Sequence, residues 1–96
     1  MPEFEWDDDK RTLKLAKHGV NFDLARLFYW DVAIVETDQR SDYGELRFSA
    51  KGPINGRLHV MIYVIRSDSV RIISLRKANR RERRNYERAM ANRASQ

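Results

Sequence analysis

Apolar and polar positions alternate most regularly between Glu45 and Arg76. Leu46, Phe48 and Ala50 interleave with Glu45, Arg47, Ser49 and Lys51, the period of a strand with one covered face. Arg57 to Arg66 predicts a longer strand. Its Leu58, Val60, Ile62 and Val64 point one way, and Arg57, His59, Met61, Tyr63 and Ile65 the other. Val70 to Arg76 predicts another, with Ile73 and Leu75 opposite Ile72, Ser74 and Arg76. Val32 to Thr37, β-branched and apolar, precedes them as a further strand. The connections are the polar loop Asp38 to Gly44, the breaker-rich Gly52-Pro53-Ile54-Asn55-Gly56, and Ser67-Asp68-Ser69. Links this short favour an antiparallel hairpin meander.

The flanks read differently. Phe4-Glu5-Trp6 alternates like a short strand. Asp7 to Asp9 offers helix caps, and Lys10 to Lys17 continues as a helix that His18-Gly19 ends, glycine taking the left-handed position after the last turn. Asn21 caps a second helix through Phe22, Ala25 and Phe28, expected to stop near Trp30-Asp31. From Asn79 onward the chain is helical again, with Tyr86, Ala89 and Met90 as a thin apolar stripe. The expected fold is α+β. An N-terminal strand and two helices pack on one face of an antiparallel sheet, and a basic C-terminal helix follows. The dry face carries the Leu46 and Leu58 sets under the two helices. The wet face collects Glu45, Arg47, Ser49, His59, Tyr63, Ser74 and Arg76, with the condition that a one-residue bulge would invert part of a strand.

Composition narrows the class. The 96 residues suffice for a single domain over 1–96, with a basic helix or tail from about 79 to 96. There is no cysteine, so neither disulfides nor thiolate chemistry are available. The apolar run Val60 to Ile65 is far short of the about 18 residues a membrane span needs. The acidic start, Glu3 and Glu5 with Asp7 to Asp9, is unlike a signal peptide, so a cytoplasmic location is expected. The net charge of +5 is unevenly placed: residues 1–75 carry −1 and residues 76–96 carry +6. Arginine at that density suits phosphate, whose oxygens match the guanidinium fork.

Metal catalysis is not expected, because the sequence has no histidine pair at ligand spacing and no patterned calcium loop. No cofactor is expected either: the glycines lie in turns rather than in a phosphate cradle. The wet face does suit RNA cleavage by the neighbouring 2′-hydroxyl. That reaction needs a base, a cation against the phosphorane charge, and an acid for the 5′ oxygen. Glu45 or His59 could serve as base, Arg47 and Arg76 as cations, Tyr63 or His59 as acid. A bland reading competes at every position. His18 suits a helix end, Trp6 and Trp30 suit a core, and the Arg80, Arg81, Arg83 and Arg84 run suits solvent.

Three groups of residues together resemble the BrnT family of toxins. Phe4-Glu5-Trp6-Asp7 with Lys10, and Lys17-His18-Gly19-Val20 with Phe22 and Ala25, resemble its opening. Asp38, Arg40, Gly44-Glu45 and Arg47 resemble its middle motif. Arg57-Leu58, Val60, Tyr63, the run Arg71 to Ala78, Glu82 and Tyr86 resemble its end. The likeness spans Phe4 to Tyr86, and Lys17 to Val20 with Arg71 to Arg76 are its most specific parts. It implies a type II toxin with a RelE-like fold that inhibits translation by cutting RNA. It also implies a co-encoded BrnA-like antitoxin, whose complex with the toxin would reach operator DNA. The catalytic candidates are then Glu45, Arg47 and Arg76, with the motif residues His18 and Lys10, and the RNA-binding candidates are Arg40, Arg57 and Tyr63, with Arg80 and Arg81 from the basic end. The sequence departs from the family at Lys14, where asparagine is usual, and His59 is not part of the motif. The alternative to a ribonuclease is a non-catalytic module that binds nucleic acid or a protein through the arginine-rich end.

Overall fold

The computed structural model of the chain describes residues 3–6, 21–38 and 45–94. The helix expected over Lys10 to Lys17, its stop at His18-Gly19 and the loop around Arg40 lie outside the described residues. Five strands form one sheet: β1 (Glu3–Glu5), β2 (Ile34–Asp38), β3 (Arg47–Ile54), β4 (Arg57–Arg66) and β5 (Ser69–Lys77). They lie in the order β1-β5-β4-β3-β2. The chain starts at one edge and begins its meander at the other, so β5 returns to lie beside β1. That pair is parallel, which makes the sheet mixed rather than purely antiparallel as expected.

Strand β3 runs through Gly52 and Pro53 to Ile54, into the segment expected to turn. Pro53 is tolerated because β2 pairs only as far as Lys51, leaving β3 without a strand on that side. The turn itself is Asn55-Gly56, with φ of 50° and 79°. Two successive positive φ values are what a tight hairpin of this hand requires, and asparagine followed by glycine supplies them cheaply.

The segment after Asn21 is a 3-10 helix, Phe22–Leu27, followed by a second 3-10 turn at Trp30–Val32. Asn21 caps it as expected, its side chain accepting from Asp23 N at 2.9 Å. The apolar positions explain the tighter winding. Phe22, Ala25 and Phe28 are all buried and recur every third residue, and a helix of three residues per turn stacks such positions in one line. They cover one face of the sheet with Ala50, Ile54, Met61, Tyr63, Val70, Ile72 and Leu75.

Strand β4 corrects the assignment of faces. Met61 and Tyr63 lie in this main core, while Leu58, Val60 and Ile62 form a second cluster with Ala78 on the opposite face. Both of its faces are apolar, so its own alternation cannot say which is the main core. On β5 the register slips between Ile62 and Tyr63, whose partners are Ser74 and Ile72. Ile73 is the extra residue of this bulge and packs against the second cluster. Ile72 and Leu75 therefore share the core face although they are three apart.

The C-terminal helix, α1 (Arg80–Ala94), packs against the second face. Its apolar contact is Tyr86, which joins the Leu58 cluster and donates a hydrogen bond to the Val32 carbonyl at 2.6 Å. Its start is held by a reciprocal cap: Glu82 N donates to Asn79 Oδ1 at 2.8 Å, and Asn79 N to Glu82 Oε1 at 2.9 Å. The same carboxylate receives both amino groups of Arg76 from β5, each at 2.8 Å. Those bonds, followed by the cap and the charge of Lys51, outweigh partial burial and hold the Glu82 pKa at about 2, below the ordinary 4.5.

Two outcomes follow for stability. Because its folded pKa is depressed, Glu82 contributes fully above about pH 4.5 and its contribution is lost as the pH falls towards 2. Replacing it by Gln should remove about 1–2 kcal/mol at neutral pH, after allowing for solvent screening, and flatten the unfolding free energy across that acid window. Urea titrations of both proteins over the window check this. In Gly52→Ala, the new Cβ would lie 2.7 Å from Phe28 Cζ, against a ring that is itself buried. Forcing that ring aside should cost about 1–3 kcal/mol, read as a lower urea midpoint at unchanged slope.

Candidate active-site groove

Alternation and register place a set of polar residues on the second face, beside the part that α1 covers. Glu36 stands across from Ser49, and Asp38 across from Arg47. Lys51 pairs with Val60, and Val60 with Arg76. These strands, with Glu82 at the start of α1, surround a groove of about 250 Å³ floored by Val60 and Ile62. The groove exists because α1 crosses only one end of the face. Tyr86 fixes it over the Leu58 end and at Val32, leaving the strand centres open.

The charges in the groove are arranged unequally. Arg76 is clamped edge-on by Glu82, which fixes its guanidinium and balances its charge. Lys51 forms no ion pair or hydrogen bond with any described residue, although its charge is felt by Glu82. Glu36, on the edge strand, is also without such a contact and is exposed. The groove thus offers an available ammonium, a fixed guanidinium, an available carboxylate and the Ser49 hydroxyl around an apolar floor. With Asp38 and Glu82 counted, the lining holds three carboxylates against two cations, so an anion would depend on direct contact with Lys51 and Arg76, while Glu36 could accept a proton. Among the described residues, no three of His, Cys, Asp and Glu gather as a metal site.

The residues expected to carry function are dispersed by this geometry. Arg47, Ser49, Ser74 and Arg76 share the second face, as alternation predicted. Glu45 lies beyond the start of β3 and pairs with Arg66 at 2.9 Å, both half exposed. Tyr63 is only 5% exposed and sits in the main core, stacked on Phe48 at 5.5 Å and edge-on to Trp30 at 5.6 Å. Its expected place on the wet face is corrected, and burial raises its pKa. His59, 4% exposed, is on that side as well, with Nδ1 2.7 Å from the Arg57 carbonyl. Burial lowers its pKa; the carbonyl contact opposes this, and the charges of Lys77 and Arg57 add to it. Arg57 stands exposed at the β3–β4 turn, outside the groove lining. Arg80 and Arg81 are exposed in the first turn of α1. Lys10, His18 and Arg40 lie outside the described residues.

Lys51, Glu36, Asp38 and Glu82 were missed as groove residues. Lys51 was legible in principle, since it continues the alternation of Arg47 and Ser49. The carboxylates were not, because only strand pairing and the return of α1 bring them to the same place.

Comparison with known proteins agrees with this architecture. The family described as "Ribonuclease toxin, BrnT, of type II toxin-antitoxin system" matches residues 6–82. The fold is similar to that of the Brucella abortus ribonuclease toxin BrnT in its 1.1 Å crystal structure, with a TM-score of 0.64 and 26% sequence identity. That likeness covers 83% of this chain and 100% of the Brucella chain. No curated protein sequence matches the chain. A match over most of the sequence, joined to a shared fold, makes the chain a member of the BrnT family of ribonuclease toxins of type II toxin–antitoxin systems.

Proposed function

We propose that the chain cuts RNA in the second-face groove by metal-independent transesterification, and that a BrnA-like antitoxin neutralises it in the cytoplasm. The observation that carries the site is Lys51, an ammonium that makes no ion pair or hydrogen bond with a described residue, on the same face as the fixed Arg76 guanidinium. On this reading the Glu36 carboxylate takes the proton of the 2′-hydroxyl, and the 2′ oxygen bonds to phosphorus. Arg76 and Lys51 face the non-bridging oxygens as negative charge builds on them. The bond from phosphorus to the 5′ oxygen breaks, and Lys51 gives that oxygen its proton. The products are a cyclic phosphate and a free 5′-hydroxyl. Arg47, half-buried opposite Asp38, adds a further guanidinium on the same face, next to the groove lining.

The helical cover on one face and the charged groove on the other support the RelE-like arrangement. Family membership supports an antitoxin partner, and through it an indirect hold on operator DNA. Glu45, outside this groove lining, stays proposed as a contributor, as do Lys10 and His18, with Arg40 and Arg57 as RNA contacts.

The test is induction of the chain with and without its neighbouring reading frame, joined to cleavage of purified RNA in EDTA. Growth should stop with the chain alone and recover with the neighbour, and RNA should be cut without metal. Lys51→Met should slow cleavage by about a hundredfold or more, while its thermal midpoint stays near that of the unmodified protein. Full activity in that variant would remove Lys51 from the site.

A further inference from the structure

The arginines of α1 are sorted by face. At about 100° per residue, Arg80, Arg84, Arg88 and Arg81 fall within an arc of about 100°. All four are exposed, whereas Glu82, Tyr86, Ala89 and Met90 on the opposite side are half-buried. None of the four makes an ion pair or hydrogen bond with a described residue. The arrangement works against the helix that carries it. Arg80, Arg84 and Arg88 are spaced four apart, where like charges repel. Arg80 and Arg81 also sit in the first turn, at the positive end of the helix dipole. A sequence that breaks two local rules on one surface, with no compensating contact among the described residues, points to an external anion.

We infer that this stripe is an RNA-docking surface, holding the backbone of the strand beyond the segment that lies in the groove. The identity of the ligand rests on the RNA-cleavage reading of that groove. Three features favour a nucleic-acid strand over an acidic protein segment. The arginines recur once per turn over about 12 Å, which suits an evenly spaced polyanion. Guanidinium forks match phosphate oxygens in pairs. The stripe also starts in the same first turn of α1 as Glu82, which lines the groove from the other side, so a strand leaving the groove reaches it by rounding the start of the helix.

The test measures binding rather than cutting. The probe is a single-stranded RNA of about 20 nucleotides, 2′-O-methylated throughout so that it cannot be cut, titrated at several salt concentrations. In the full chain carrying Arg80→Gln, Arg81→Gln, Arg84→Gln and Arg88→Gln, the log–log salt slope should become shallower by about 3, at about 0.7 per lost contact. Affinity at about 0.1 M salt should fall at least tenfold. Circular dichroism should show an intact helix, since the repulsion has been removed. If the fourfold variant does not fold, Arg84→Gln with Arg88→Gln alone should lose about half of that slope change. Unchanged slope and affinity in a folded variant would overturn the proposal and assign the stripe to an acidic protein. A shallower slope in a chain that never cuts ordinary RNA would leave the docking surface standing and remove the groove reading instead.

Discussion

The clamp between Arg76 and Glu82 is the contact on which the rest of the second face depends. It joins the last strand to the first turn of the last helix, six residues later, through two charge-assisted bonds. The same carboxylate closes the helix cap with Asn79. One side chain therefore ends the sheet, starts the helix and fixes the guanidinium. With Tyr86 anchored on Val32 farther along, the helix has two fixed points. Between them it covers Leu58 and leaves a groove open over the buried Val60 and Ile62. The groove is the space left by that geometry.

The clamp also divides the labour among the cations. A guanidinium held edge-on by a carboxylate is well oriented but largely balanced in charge. Lys51, two strands away on the same face, makes no ion pair or hydrogen bond with a described residue, although its charge adds to the hold on Glu82. On the proposed reading a phosphorane would meet both, a donor that does not move and an ammonium not closed into an ion pair with a described residue. The stripe of arginines on the outer side of α1 differs again: it is exposed, repeated and remote from the floor. That suits holding a strand rather than acting on one bond.

The main core depends on a different feature, the threefold spacing of Phe22, Ala25 and Phe28. A 3-10 winding lines these up over Gly52, where the Phe28 ring comes so close to the backbone that no side chain fits. Phe28, Trp30, Tyr63 and Phe48 continue as one chain of aromatic contacts across the sheet. Tyr63 belongs to that chain, which is why it is unavailable to the groove despite lying on the strand that floors it.

Local periodicity and local chemistry determined much by themselves. The bounds of β4, the Asn55-Gly56 turn within its breaker segment, the Asn21 and Asn79 caps and the helical C-terminus were legible, because each depends on residues within a turn of one another. So were the shared face of Arg47, Ser49 and Arg76 and the BrnT resemblance. Which face of β4 looks into the main core was not legible, since both carry apolar residues and only the covering elements distinguish them. The parallel seat of β1, the bulge at Ile73 and the meeting of Glu36, Lys51, Arg76 and Glu82 were decided by tertiary structure alone. Each joins residues on separate elements, and no spacing along the chain encodes how strands align or where a helix comes to rest.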